Sequence, residues 1–131
     1  MLVGVLVLAT VAGLLLRGRD GRIRRSAAPR PAGGWALAVG GRVLLLQLSS
    51  PICTPCRRTA EVLDGWTGDR PDIAHREIDV AERPDVARTL GVMRTPTVVA
   101  FDRAGTELLR VSGVPRVTDL EAALEPVLSP R

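Results

Sequence analysis

The chain is 131 residues long, which leaves room for one domain and a short extension. Its formal charge of +4 is unevenly placed: residues 1–34 hold six arginines and one acid, whereas residues 35–131 hold twelve arginines and thirteen acids. The folded part is therefore close to neutral, which excludes a nucleic-acid footprint. With Trp35, Trp66 and Phe101 as its only aromatics, the core must be built from Val, Leu, Ile and Ala.

Leu2 to Leu16 carries no charge and one polar residue, Thr10. Residues 1–17 read as a single transmembrane anchor, with residues 2–16 in contact with lipid. A helix of that length spans roughly 24 Å, short of the ~30 Å hydrocarbon core, and thinning of the bilayer or snorkelling by Arg17 and Arg19 would close the gap. A cleaved signal peptide is the rival reading. It fits poorly, because no basic stretch precedes the apolar run and the arginines follow it. A buried core helix is disfavoured because the run is apolar on every face. Five arginines between positions 17 and 25 place the soluble side in the cytoplasm by the positive-inside rule.

Residues 18–34 read as a basic linker, Pro- and Gly-rich from Ser26 to Gly34, and residues 35–131 as the folded domain. Trp35 to Val39 has the pattern of a short first strand, turned by Gly40 and Gly41. Val43 to Ser49 is a near-continuous apolar run and predicts a central strand covered on both faces. From Cys56 to Trp66, Ala60, Leu63 and Trp66 recur at helical spacing. Ile73 to Val80 predicts a second, parallel strand. A short helix follows, with Pro84 in its first turn and Gly91 as its stop. Thr97–Phe101 and Glu107–Val111 form an antiparallel hairpin around residues 102–105. The last helix is expected to start on a capping box, Thr118 with Glu121, and to bury Leu120, Ala123, Leu124, Val127 and Leu128. Pro126 should kink or shorten it.

Cys53 and Cys56 are the only cysteines and sit where the central strand gives way to the first helix of the domain. There the first thiol lies over a helix N-terminus, whose unpaired N–H groups favour a thiolate, and the second is one turn away. Arg57 and Arg58 either add positive charge to the pair or form a solvated helix face. His75, the only histidine, reads as a surface residue near the start of a strand, with proton shuttle and metal ligand as alternatives. Two cysteines and one histidine fall short of a zinc site, so no metal is expected. A bridge closing so short a loop removes little unfolded-state entropy, which argues against a purely structural disulfide.

The element order, the Cys-x-x-Cys at the first strand-to-helix junction and Arg94-Thr95-Pro96-Thr97 about forty residues later together resemble the thioredoxin superfamily. The resemblance covers roughly residues 43–128. It implies an α/β fold with a central mixed sheet, parallel at first and ending in an antiparallel hairpin, flanked by helices. It also implies a cis peptide bond before Pro96, with the backbone of Thr95 free to pair with a substrate strand, and a backbone role for Gly113 near the site. The activity implied is thiol–disulfide exchange with protein substrates and a redox partner, without a cofactor, with Cys53 as nucleophile and Cys56 as resolving thiol. Thr-Pro between the cysteines favours a reductive direction, since strongly oxidising relatives tend to carry histidine before the second cysteine.

Three features depart from the family pattern. Ile52 stands where a tryptophan usually precedes the first cysteine. Gln47 stands where thioredoxins carry a buried acid six residues before that cysteine, which leaves no evident acceptor for the Cys56 proton. The helix expected between the first strand and the central one is missing. These departures keep open the alternative of a non-catalytic redox-sensing or partner-binding module. Tethered oxidoreductases are more often expected outside the cytoplasm, where disulfides persist. The arginine cluster points the other way, and it is the signal in the residues themselves.

Overall fold

The computed structural model describes residues 1–26 and 41–129. Helix α1 (Leu2–Arg17) comes first, then strand β1 (Ile23–Arg25), strand β2 (Val43–Ser49) and helix α2 (Thr54–Thr67). They are followed by β3 (Ile73–Asp79), α3 (Pro84–Leu90), β4 (Thr97–Asp102), β5 (Glu107–Ser112) and α4 (Val117–Leu128). The strand expected over Trp35–Val39, and the place of the missing helix, fall outside the described residues.

The five strands form one mixed sheet in the order β1-β5-β4-β2-β3. β2 runs parallel to β3 and antiparallel to β4, and β4–β5 is the expected antiparallel hairpin. All seven residues of β2 are buried, as a near-continuous apolar strand covered on both faces must be. Alternation along β2 divides the core. Val43 and Leu45 pack with Leu63 and Trp66 of α2 and with Leu120 and Leu124 of α4. Leu44, Leu46 and Leu48 pack on the opposite face with Val86 and Leu90 of α3. Gln47 shares the α2 face with Leu45, and this places an amide directly under the start of α2.

β1 was not expected, because it lies in the stretch read as linker. It pairs antiparallel with β5, Ile23 opposite Val111 and Arg24 opposite Arg110. Ile23 supplies its one apolar side chain, packed against the core on the α2 and α4 side. The chain reaches the sheet through Gly21, whose φ of 77° suits glycine and whose N–H donates to the Ser112 carbonyl at 2.7 Å.

The expected capping box on α4 does not form. The N-cap residue is Arg116, which makes no side-chain cap, so Thr118 falls inside the first turn. Glu121 instead turns to α2, accepting from Trp66 Nε1 at 3.0 Å and from Arg70 Nη2 at 2.6 Å. A tertiary contact has taken the side chain that the local motif required. Pro126 lies within the last turn, and the helix continues to Leu128. α3 follows its local signals, ending at Gly91 in the left-handed region with φ 63°.

α1 is exposed along its whole length. Among the described residues, no helix is long and apolar enough to cross a membrane.

Candidate active site

The site is assembled at the end of β2. Cys53 is the N-cap of α2, in extended conformation, and its Sγ accepts from the Cys56 backbone N–H at 3.2 Å. Sulfur thus occupies the position where an oxygen cap normally satisfies a free helix N–H, so charge on Cys53 meets a donor already in place. Pro55 sits in the first turn, where a missing N–H costs nothing. Cys53 and Cys56 are joined in a disulfide, with Cα atoms 5.2 Å apart. Cys53 is half-buried, while Cys56 is 2 % exposed. Cys53 is thus the more accessible sulfur of the pair.

The loop carrying Pro96 is fastened to this dithiol. The Thr95–Pro96 bond is cis. Ser50 Oγ and Thr95 Oγ1 share a hydrogen bond at 3.1 Å, tying the chain before Cys53 to the residue before the proline. The Pro96 carbonyl accepts from Gly113 N–H at 2.9 Å. Gly113 has φ 86°, and a Cβ there would meet Asp20 Cβ at 3.0 Å and Gly21 N at 3.1 Å. Both the backbone conformation and the close approach therefore require glycine. The structure thus brings Cys53, Cys56, Thr95, Pro96 and Gly113 into one connected assembly. Close to it in the chain, Ile52 is exposed at 97 %, next to Cys53, and Met93 at 93 %, three residues before Pro96.

Gln47 is fully buried beneath Cys56. Its Nε2 donates to the Cys56 carbonyl at 2.8 Å and to Ser49 Oγ at 2.9 Å. A carbonyl can only accept, which fixes the amide orientation and leaves Oε1 facing His75 Nε2 at 3.0 Å. The other ring nitrogen, Nδ1, lies 2.6 Å from the Asp64 carboxylate.

His75 is thus not a surface residue as the sequence led us to expect, since its side chain is 5 % exposed. It shares a sheet face with Ile73, two residues earlier, and this face is covered by α2. Both ring nitrogens have partners, Nδ1 the Asp64 carboxylate and Nε2 the Gln47 amide oxygen. The chain Asp64–His75–Gln47–Cys56 was missed because its members lie on three different elements. The one available signal was the period-two relation of His75 to Ile73. Arg57 and Arg58 are exposed, and among the described residues the Arg57 side chain reaches only Thr54 Oγ1, at 3.4 Å, consistent with a solvated helix face.

Comparison with known proteins agrees with this geometry. Residues 36–126 match the family model described as Thioredoxin. Over 78 residues the chain is 32% identical to Thioredoxin-2 of Saccharomyces cerevisiae, covering 60% of this chain and 74% of that one. Over 75 residues it is 37% identical to NADPH-dependent thioredoxin reductase 3 of Arabidopsis thaliana, a match that spans 56% of this chain and 14% of that protein. The X-ray structure of Fasciola hepatica thioredoxin superposes with a TM-score of 0.58 at 25% identity, covering 66% of this chain and 82% of that one. With a family match over most of its length and a redox-active cysteine pair at the head of α2, the chain belongs to the thioredoxin family and is a thiol–disulfide oxidoreductase.

Proposed function

We propose that the protein exchanges disulfides with protein substrates through Cys53 and Cys56 while α1 tethers it to a membrane. The observation that carries the exchange reading is the asymmetry of the pair: a half-exposed Cys53 capped by an N–H, and a buried Cys56 already within bonding distance. In the reductive direction, the Cys53 thiolate attacks one sulfur of a substrate disulfide. That S–S bond breaks, a mixed disulfide forms, and the departing substrate thiolate takes a proton from water. Cys56, deprotonated, then attacks Cys53 Sγ and releases the second substrate thiolate. The protein ends oxidised by two electrons and the substrate reduced by two.

The backbone N–H and C=O of Thr95 make no hydrogen bond with the described residues, which leaves them to pair with a substrate strand. Ile52, next to Cys53, and Met93, three residues before Pro96, are exposed apolar side chains that such a strand can contact. Gln47 cannot accept the Cys56 proton as a carboxylate would. Its amide instead holds the Cys56 carbonyl, so this residue positions the turn and the proton leaves to water. A thioredoxin-reductase-type donor is the partner we favour, since the Arabidopsis protein that carries a matching segment is named as such a reductase.

Reduction of insulin by the full chain in mild detergent, with dithiothreitol as donor, tests the reading. The expected rate exceeds that of dithiothreitol alone and falls to it in Cys53→Ser. A Cys56→Ser variant should accumulate mixed disulfides with partners. Traps that stay empty in both variants would favour the binding-module reading.

The tether rests on sixteen residues of α1 with no acid, no base before Arg17 and no buried face. The helix is short for a bilayer, and Arg17 and Arg19 are placed to snorkel. We place the domain on the cytoplasmic side from the arginines that follow. A compartment-specific reporter fused after Arg131 tests this, and extracytoplasmic activity would reverse the orientation.

A further inference from the structure

At the β1–β5 edge of the sheet, a cavity of about 270 Å3 is lined by Arg19, Arg22, Arg24, Arg94, Arg110 and Ser112. Five arginines line it, and two of them are paired with carboxylates. Arg110 binds Glu107 in two-point fashion, Nε to Oε1 at 2.7 Å and Nη2 to Oε2 at 2.8 Å, and its other contact is the Leu90 carbonyl at 3.0 Å. Arg94 Nη2 binds Asp20 Oδ1 at 2.6 Å. Arg19, Arg22 and Arg24 have no acidic partner among the described residues. Three positive charges are left uncompensated around one small volume.

The register of the sheet sharpens the point. β1 places Arg24 directly opposite Arg110, and like charges at opposed positions of an antiparallel pair are destabilising. Arg22 lies two residues from Arg24, and hence on the same face. Ile23, between them, turns to the core and fixes that arrangement. The strand is thus held in a register that concentrates charge of one sign. An anion in the cavity relieves that repulsion.

We propose that this cavity is a phosphate-binding site. Arginine forks match phosphate oxygens two at a time, and several forks converging on one volume suit a compact, multiply charged anion better than a single carboxylate. At ~30 Å3 per water the cavity displaces roughly nine waters, room for a phosphate and the first atoms of its ester. Two sources share this chemistry: the headgroup of an anionic phospholipid and a free phosphate ester. Arg19 lies only two residues beyond α1, so the cavity sits next to any surface that α1 occupies. Among the described residues none of its arginines makes a hydrogen bond or ion pair with Cys53 or Cys56, although Arg94 and Ser112 adjoin Thr95 and Gly113.

The test titrates the full chain in non-ionic detergent with inorganic phosphate, with short-chain phosphatidylglycerol and with short-chain phosphatidylcholine. Binding is read as a saturable rise in melting temperature at ionic strength matched with potassium chloride. Saturable binding of phosphate, phosphatidylglycerol or both is expected, weakened roughly tenfold or more in Arg22→Gln/Arg24→Gln and unchanged in Arg88→Gln on α3. Tighter phosphatidylglycerol than phosphate identifies the lipid headgroup as the source, and the reverse order a soluble ester. No rise beyond the chloride control overturns the proposal. So does binding that survives the double substitution, equal binding of phosphatidylcholine, or an acidic peptide that binds where phosphate does not. Insulin reduction measured on the same samples keeps a failure of this site distinct from a failure of exchange.

Discussion

Two polar clusters in this molecule solve opposite problems. Beneath the dithiol, Gln47 is fully buried and each polar group of its amide has a partner, through Ser49, Cys56 and His75. At the β1–β5 edge, five arginines surround a cavity with two acids to answer them. The buried cluster is closed: an unpaired amide there would cost the full desolvation of the group, so the fold supplies every partner. The edge cluster is open, because water screens its charges and the fold tolerates the excess. Groups that the protein satisfies itself hold geometry. Groups it leaves unsatisfied are available to something else.

That contrast makes predictions of unequal size. Gln47→Leu should have the largest effect. It leaves the His75 ring nitrogen and Ser49 Oγ without their amide partner in the interior, at ~1–3 kcal/mol each, while the Cys56 carbonyl keeps its place in the α2 ladder. A melting temperature lower by roughly 10 °C or more is expected, and a loss under 2 °C would show that the cluster is not closed as described. His75→Ala should cost less, roughly 1–2 kcal/mol in urea unfolding, because Gln47 Oε1 alone loses a buried partner while Asp64 is largely exposed.

Arg24→Gln should act in the other direction. Relief of the pairing with Arg110 is expected to stabilise the fold by ~0.2–1 kcal/mol. The gain should shrink as salt is added, since screening weakens the repulsion in the parent. A loss of stability at low salt would mean that Arg24 is compensated after all.

The smallest effect concerns Asp85, whose carboxyl is held below its ordinary value of 3.8 chiefly by the hydrogen bonds from Arg83. A depressed carboxylate contributes stability above its unfolded value, and the contribution is lost as pH falls through the lowered folded value. Asp85→Asn should thus differ slightly from the parent at neutral pH and converge with it in acid. Unfolding midpoints across that range check the sign.

Much of the fold was legible because its signals are local or two-sided. Val43–Ser49 is apolar on both faces and could only be a central strand. Pro84 and Gly91 bracket α3 by backbone geometry alone. The cysteine pair and Thr95-Pro96 marked the site. What escaped had its cause elsewhere in the chain. Ile23–Arg25 is a three-residue strand whose stability comes from pairing with Leu109–Val111, and its only local trace is one apolar residue between two arginines. His75 looked exposed because nothing near it in sequence shows that α2 covers its face. Thr118 and Glu121 looked like a capping box until Trp66 and Arg70 claimed Glu121.

By itself the sequence determined the element order, the strand-to-helix placement of Cys53 and Cys56, the family resemblance and the absence of a buried acid at position 47. These follow from periodicity, backbone chemistry and the identity of side chains, which act over a few residues. Only the tertiary structure decided that Gln47 is joined through His75 to Asp64, that Gly113 must admit the chain at Asp20 and Gly21, and that arginines far apart in sequence converge on one cavity. Those outcomes depend on strand register and on which helix covers which face, and register is set by the packing of the whole sheet.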